Sequence, residues 1–215
     1  MEKIWYPIFE KEQQVSVKNL KDLGIDGLYI GRKLSKDIDI NELKSEAKNS
    51  NLEVVSENDT LINHNLTTTI IDGLNGSLQL ENEFVIKVKN ELDNKKINGL
   101  LDIKNIDSLI AFQALALMSL LPGQLLIPTG LEKNLNSQTW DKLKKLLNLR
   151  KKYELINKVE ISITEDSLLR VRRGKLIGYF NTNTHALGFN SKSIWIQNYL
   201  VGQLLPKGVV IKEEE

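Results

Sequence analysis

The sequence predicts an α/β protein in which parallel strand and helix units over residues 1–151 lead into a small antiparallel β part over residues 152–215. Three observations carry that expectation. The first 55 residues alternate apolar strand segments with helical patterns across short connections, which is the mark of parallel α/β units. Between Ala111 and Leu121, apolar residues recur at three or four positions (Ala111, Leu115, Met118, Leu121), and Pro122-Gly123 then stops the helix before an apolar strand at 124–128. After Lys151 the helical period gives way to short alternating runs separated by turn residues.

Taken in order, Ile4 to Phe9 reads as a strand and Val15 to Leu23 as a helix. Gly24 supplies the left-handed conformation that helix ends favour. Ile25 to Gly31 is a second strand, 40–48 a helix and Leu52 to Val55 a third strand. A helix is expected over 83–92 and a strand over 99–103. Asn105 or Asp107 then stands where an N-cap oxygen would meet the free N–H groups of a helix starting at Ser108. The final strands are expected at 159–163, 168–172, 175–181, 193–197 and 209–212, as an antiparallel sheet or sandwich.

Composition narrows the function classes. A content of 29 Lys and Arg against 28 Asp and Glu gives a net charge of +1, which offers no basic surplus for nucleic acid or an anionic membrane. Arg170, Arg172, Arg173 and Lys175 read as a solvated strand edge. With no cysteine and only His64 and His185, neither a disulfide nor a thiolate or histidine-rich zinc site can be built, and no cofactor is expected. The opening residues lack the apolar run of a signal peptide and no segment has the length of a membrane span, so the cytoplasm is the expected compartment.

The motifs resemble, in their order, those of the α-amylase family. Its opening is matched by Leu20, Leu23, Gly24, Ile25 and Asp26, and its first conserved region by Asp59 to His64, with Asp59, Asn63 and His64 at the matching positions. Its closing segment is matched by Pro122-Gly123, Gly130-Leu131-Glu132 and Leu149-Arg150-Lys151. The resemblance implies a truncated (β/α) TIM-type barrel over 1–151 and a C-terminal β-sandwich domain over 152–215, the barrel lacking two or more of its βα units. It also implies sugar contacts from Asp59, Asn63 and His64.

The catalytic set does not carry over. If Ile70 to Ser77 corresponds to the family's fourth strand, Asn75 replaces its arginine and Ser77 its nucleophilic aspartate, and a serine hydroxyl supplies neither the charge nor the nucleophilicity that a retaining glycosidase needs. A Gly-Asn-Gly-Ser turn explains the same letters. Asp107 aligns with the family's third carboxylate, and helix capping is the competing reading. Glu81 and Glu83 are expected on a solvated helix face, while Asp72 and Asp102 remain candidates for recruitment. Calcium is not expected, because the family's ligands lie on an insertion with no counterpart here. Trp5, Tyr6, Tyr29 and Trp140 read as packing residues, with sugar stacking as the alternative.

Two functions follow from the resemblance. One is a non-catalytic amylase relative that binds an α-glucan, regulates or assembles. The other is a reduced but active glycoside hydrolase or transglycosylase. An opened barrel also exposes two strand edges, so a homo-oligomer or protein partner is expected over the gap, unless the segment from Ser56 to Thr69 folds across it.

Overall fold

The computed structural model describes residues 2–8, 17–31, 40–56, 62–76, 83–92, 96–99, 107–127, 137–190 and 192–214. Five strands, β1 (Ile4–Ile8), β2 (Gly27–Ile30), β3 (Glu53–Ser56), β4 (Ile97–Gly99) and β5 (Gln124–Leu126), form a parallel sheet in the order β3-β2-β1-β5-β4. The last strand in sequence therefore lies beside the first. Helices α1 (Val17–Asp22) and α2 (Ile40–Asn49) link β1 to β2 and β2 to β3, while α3 (His64–Leu74) and α4 (Val85–Glu91) lie between β3 and β4. Helix α5 (Ser108–Leu120) joins β4 to β5, and α6 (Ser137–Lys152) follows.

Strands β1 and β2 are buried on both faces, which is why they read as nearly continuous apolar runs, whereas the edge strand β3 is only partly buried and its Glu53 is exposed. Ile4, Tyr6, Ile8, Leu28, Ile30 and Leu125 enter the main core. The alternate residues Trp5, Tyr29, Ile97 and Leu126 join Ile62 and the partly buried Val55 in a second cluster on the other face of the sheet. Gly27 makes room for it, since a Cβ there would run into the Trp5 ring.

Ile62 also forms a parallel bridge with Ile97, on the free edge of β4. Only residues 57–61 separate it from the end of β3 at Ser56, a reach of about 20 Å at ~3.3–3.6 Å per residue. Ile62, six residues after Ser56 of edge strand β3, is thus paired with the opposite edge strand β4.

Residues 159–213 form one antiparallel sheet of β6 (Val159–Ile163), β7 (Leu169–Arg173), β8 (Leu176–Phe180), β9 (Leu187–Gly188), β10 (Trp195–Leu200) and β11 (Gln203–Glu213). Its order is β10-β11-β8-β7-β6, with β9 pairing β11. One face of this sheet packs on α5. That helix buries Ile110, Ala111 and every residue from Gln113 to Leu120, as expected of a helix that is apolar all round. Burial of each large α5 side chain contributes about 1.5–3 kcal/mol. Because Leu115 and Leu117 share a cluster with Leu28 on one side and Val171, Phe180 and Ile211 on the other, the two sheets have a common core.

Several expectations change. Ile70 to Leu74 is helical, within α3, and not a strand. Leu66, Ile70 and Leu74 are all buried at a spacing of four, and Phe84 packs where Gly73 lacks a side chain. Arg173 is 1% exposed and β7 is an interior strand, so the arginine run is not a solvated edge. Strand β11 starts six residues before the expected 209, running through Pro206 with Lys207 at φ 60. Strand β4 ends at Gly99, and the remainder of the expected 99–103 strand, at 100–103, lies outside the described residues.

Candidate functional site

In parallel α/β sheets, ligands bind beyond the carboxyl ends of the strands. Here the segments that follow the five strands there, 9–16, 32–39, 57–61, 100–106 and 128–136, lie outside the described residues. Beneath them the sheet is filled: Tyr29 is fully buried and Leu126 packs in the same cluster.

Of the expected sugar-contact residues, Asp59 lies outside the described residues. Asn63 is 3% exposed and serves as the N-cap of α3, its Oδ1 accepting from the Leu66 N–H. Its Nδ2 donates to the Glu91 carbonyl at 2.7 Å and lies 3.5 Å from Asn98 Oδ1. Its amide oxygen and nitrogen are therefore both engaged within the protein. His64 is exposed on the first turn of α3.

Asp107 is exposed at the N-terminus of α5, and its Oδ1 accepts from the Leu109 N–H at 2.7 Å and the Ile110 N–H at 3.4 Å. The carboxylate sits at the positive end of the helix dipole, where its charge is stabilised. Glu83 is exposed and Asp72 half-buried, whereas Ser77, Glu81, Asp102, Asn105 and Gly130-Leu131-Glu132 lie outside the described residues. Among the described residues no three His, Asp or Glu side chains gather as a metal site would require, and no helix is long and apolar enough to cross a membrane.

The best-defined polar constellation lies at the amino end of the parallel sheet, and the motif residues build it. Helix α1 closes on Gly24 (φ 84), with the Ile25 N–H returning to the Leu20 carbonyl, and this places Asp26 beside Ile4. One Asp26 oxygen accepts from the Ile4 N–H at 2.9 Å and the other meets Lys151 Nζ at 2.8 Å. Next to Lys151, Arg150 is 2% exposed. It donates to the carbonyls of Met118, Ser119, Leu121 and Gly123, at and just beyond the C-terminus of α5, and pairs with Glu2 at 3.0 Å. Burial brings the guanidinium down to about 10, against the opposing pull of Glu2, so the cation persists at neutral pH.

Arg173 reaches the same point from the antiparallel sheet, donating to the carbonyls of Leu121, Glu154 and Ile156 and pairing with Glu2 at 2.7 Å. A second junction is neutral at its centre: Gln113 on α5 donates to the carbonyls of Asn181 and Gly208, and Lys207 donates to Leu74 at the end of α3. Sequence reasoning missed Glu2, Arg173, Gln113, Asn181 and Lys207. Arg173 carried a signal, because it continues the inward register of Leu169 and Val171.

No protein-family model and no curated protein matches the chain. Among solved structures it is similar to Ttha1563 from Thermus thermophilus, with a TM-score of 0.56 and 14% identity over 93% of this chain and 61% of that one. It is also similar to an alpha-amylase from Lactobacillus plantarum (TM-score 0.48, 11% identity, 98% of this chain and 62% of that one). The third is an alpha-amylase from Malbranchea cinnamomea (TM-score 0.47, 15% identity, 92% and 56%). The likeness to the first is one of fold alone, and this chain spans about three fifths of its length.

Proposed function

We propose that this chain is a non-catalytic α-amylase-like protein, an incomplete (β/α) barrel with a C-terminal β domain that works by carbohydrate binding, regulation or assembly. One observation carries the reading: the family-like motifs that survive are joint residues. Asp26 meets Lys151, and Arg150 closes α5 after Pro122-Gly123. In contrast, the stretch from Ile70 to Leu74, aligned with the nucleophile-bearing strand, belongs to a helix, and the Asp107 carboxylate caps another. The strand order adds support, since a barrel that loses middle units keeps its last strand beside its first.

Within this reading, His64, which is exposed, and Asp59 are the sugar-contact positions, and Asn63 holds the turn that presents His64. A twofold partner over the opening between β3 and β4 belongs to the same proposal. Light scattering that shows only monomer at micromolar concentration would remove that part.

Calorimetric titration with a maltooligosaccharide tests the whole reading. Saturable binding heat without continuing heat of turnover is expected. Sustained heat that Asp107→Asn abolishes would establish the alternative, an active glycoside hydrolase or transglycosylase, and no heat at two temperatures would remove glucan recognition. Asn keeps the N-cap, so loss of activity in that variant would report chemistry rather than folding.

A further inference from the structure

The dipeptide Asn-Gly occurs twice in the chain, as Asn75-Gly76 and as Asn98-Gly99. The pair matters chemically because the side-chain amide of an asparagine is open to attack by the main-chain nitrogen that follows it. Glycine, with no Cβ and a permissive backbone, leaves that nitrogen the least hindered.

The fold places the two copies in opposite settings. Asn98 and Gly99 lie on β4, in register with Leu125 and Leu126 of β5. Asn98 is 1% exposed, its Nδ2 donates to the Pro122 carbonyl at 3.0 Å, and its Oδ1 lies 3.5 Å from Asn63 Nδ2. A Cβ on Gly99 would strike the Leu126 carbonyl oxygen. The amide is thus pinned, the backbone is held extended by the ladder, and water is kept out.

Asn75 is instead the C-cap of α3, and Gly76 follows it in the left-handed region at φ 79. Both are exposed, and a Cβ on Gly76 would meet nothing within 4 Å. Two end-of-helix hydrogen bonds hold the pair, from the Asn75 N–H to the Ile71 carbonyl at 2.9 Å and from the Gly76 N–H to the Gly73 carbonyl at 3.1 Å. Attack needs the second bond to open and Asn75 to leave its helical ψ of −8. Helix ends fray, and local openings of this kind lie at the low end of the stability scale.

We propose that Asn75 is a modification site, which deamidates without an enzyme to a mixture of aspartate and isoaspartate, while Asn98 remains an amide in the folded protein. Solvent base takes the Gly76 N–H proton, and the nitrogen forms a bond to Asn75 Cγ. The Cγ–Nδ2 bond breaks, and Nδ2 leaves as ammonia after taking a proton from water. The resulting five-membered imide is opened by a water molecule. Cleavage at Cγ gives aspartate, and cleavage at the main-chain carbonyl gives isoaspartate. Either product puts a negative charge at the C-terminal end of α3, the end of the helix dipole that disfavours it. Lys207, donating to the Leu74 carbonyl at 2.8 Å, is a cation at the same helix end. The modification therefore falls on the joint between α3 and β11, and it stands independently of glucan binding.

Incubation of the whole protein at mildly alkaline pH tests it, folded and in urea, followed by tryptic peptide mapping. Trypsin separates the two sites, cutting after Lys48 and Lys87 around the first and after Lys96 and Lys104 around the second. In the folded protein the first peptide should acquire the mass of the acid at Asn75, with isoaspartate read by an isoaspartyl methyltransferase, and the second should keep its amide. In urea both should convert. Asn75→Gln, folded like the parent by circular dichroism, should lose the isoaspartate signal, because its side chain is one carbon too long to close the five-membered ring. If the first peptide kept its amide in the folded protein, or if both peptides converted alike there, the proposal would be overturned. An isoaspartate signal that persisted in Asn75→Gln would place the reaction elsewhere and overturn it as well.

Discussion

The parallel sheet and the antiparallel sheet solve the same problem, a hydrophobic face in water, in opposite ways. The parallel strands are three to five residues long, and all but the partly buried edge strand β3 are packed on both faces, between the helices on one side and an inner cluster on the other. The antiparallel strands bury one face on α5, and on the other a small apolar cluster lies beside partly exposed charged residues, Arg170 and Arg172 among them. The charge is divided as well, since Leu169–Glu213, which spans β7 to β11, holds seven Lys and Arg against one Glu, a net +6 that leaves the remainder at −5.

The difference also shows what joins them. Helix α5 is shared, and the Glu2, Arg150 and Arg173 cluster fixes its end to both sheets. Removing residues 152–215 should therefore have the largest effect. A 1–151 fragment would expose α5 to water and leave the Arg150 and Glu2 pair without Arg173. It is expected to show no cooperative unfolding transition by circular dichroism. A fragment that melts cooperatively would establish 1–151 as an independent domain and break the comparison at its root.

A smaller effect is expected from Arg150→Ala in the full chain. It deprives Glu2 of one buried partner and four carbonyls near the end of α5 of their donor, so a loss of about 3–5 kcal/mol is anticipated. In urea denaturation the midpoint should fall while the transition remains single, because the cluster serves both sheets. Two transitions would show that the sheets are coupled through α5 packing alone.

Much of this architecture was legible where a local rule and the global fold agree. The end of α1 at Gly24, the end of α5 before Pro122-Gly123 and the paired strands β7 and β8 follow from turn residues and periodicity that tertiary packing does not override. Where long-range packing decides, the sequence was ambiguous. Ile70 and Ile71 are β-branched and favour a strand locally, yet the stripe of Leu66, Ile70 and Leu74 and the approach of Phe84 to Gly73 make the segment helical. Arg173 was misread because a buried arginine needs partners distant in sequence, and Glu2 lies 171 positions away. The candidate site was less legible than the fold, since Asn63 and Asp107 have the same letters whether they cap a helix or touch a sugar.

The smallest expected effect concerns that ambiguity. Asp107 contacts two N–H groups at the start of α5, so Asp107→Ala should cost about 1 kcal/mol, whereas Asp107→Asn, which retains an acceptor oxygen, should cost a few tenths at most. The difference is readable in urea midpoints because α5 belongs to the core of both sheets, and local fraying at its first turn is transmitted to the global transition. A residue held for catalysis predicts another pattern, since carboxylates kept for chemistry are commonly neutral or costly for stability. If both substitutions left stability unchanged or raised it, the cap would not be the reason for an aspartate at this position. The contrast between a scaffold that kept its joints and one that kept its chemistry would then have to be drawn again from Asp107 outward.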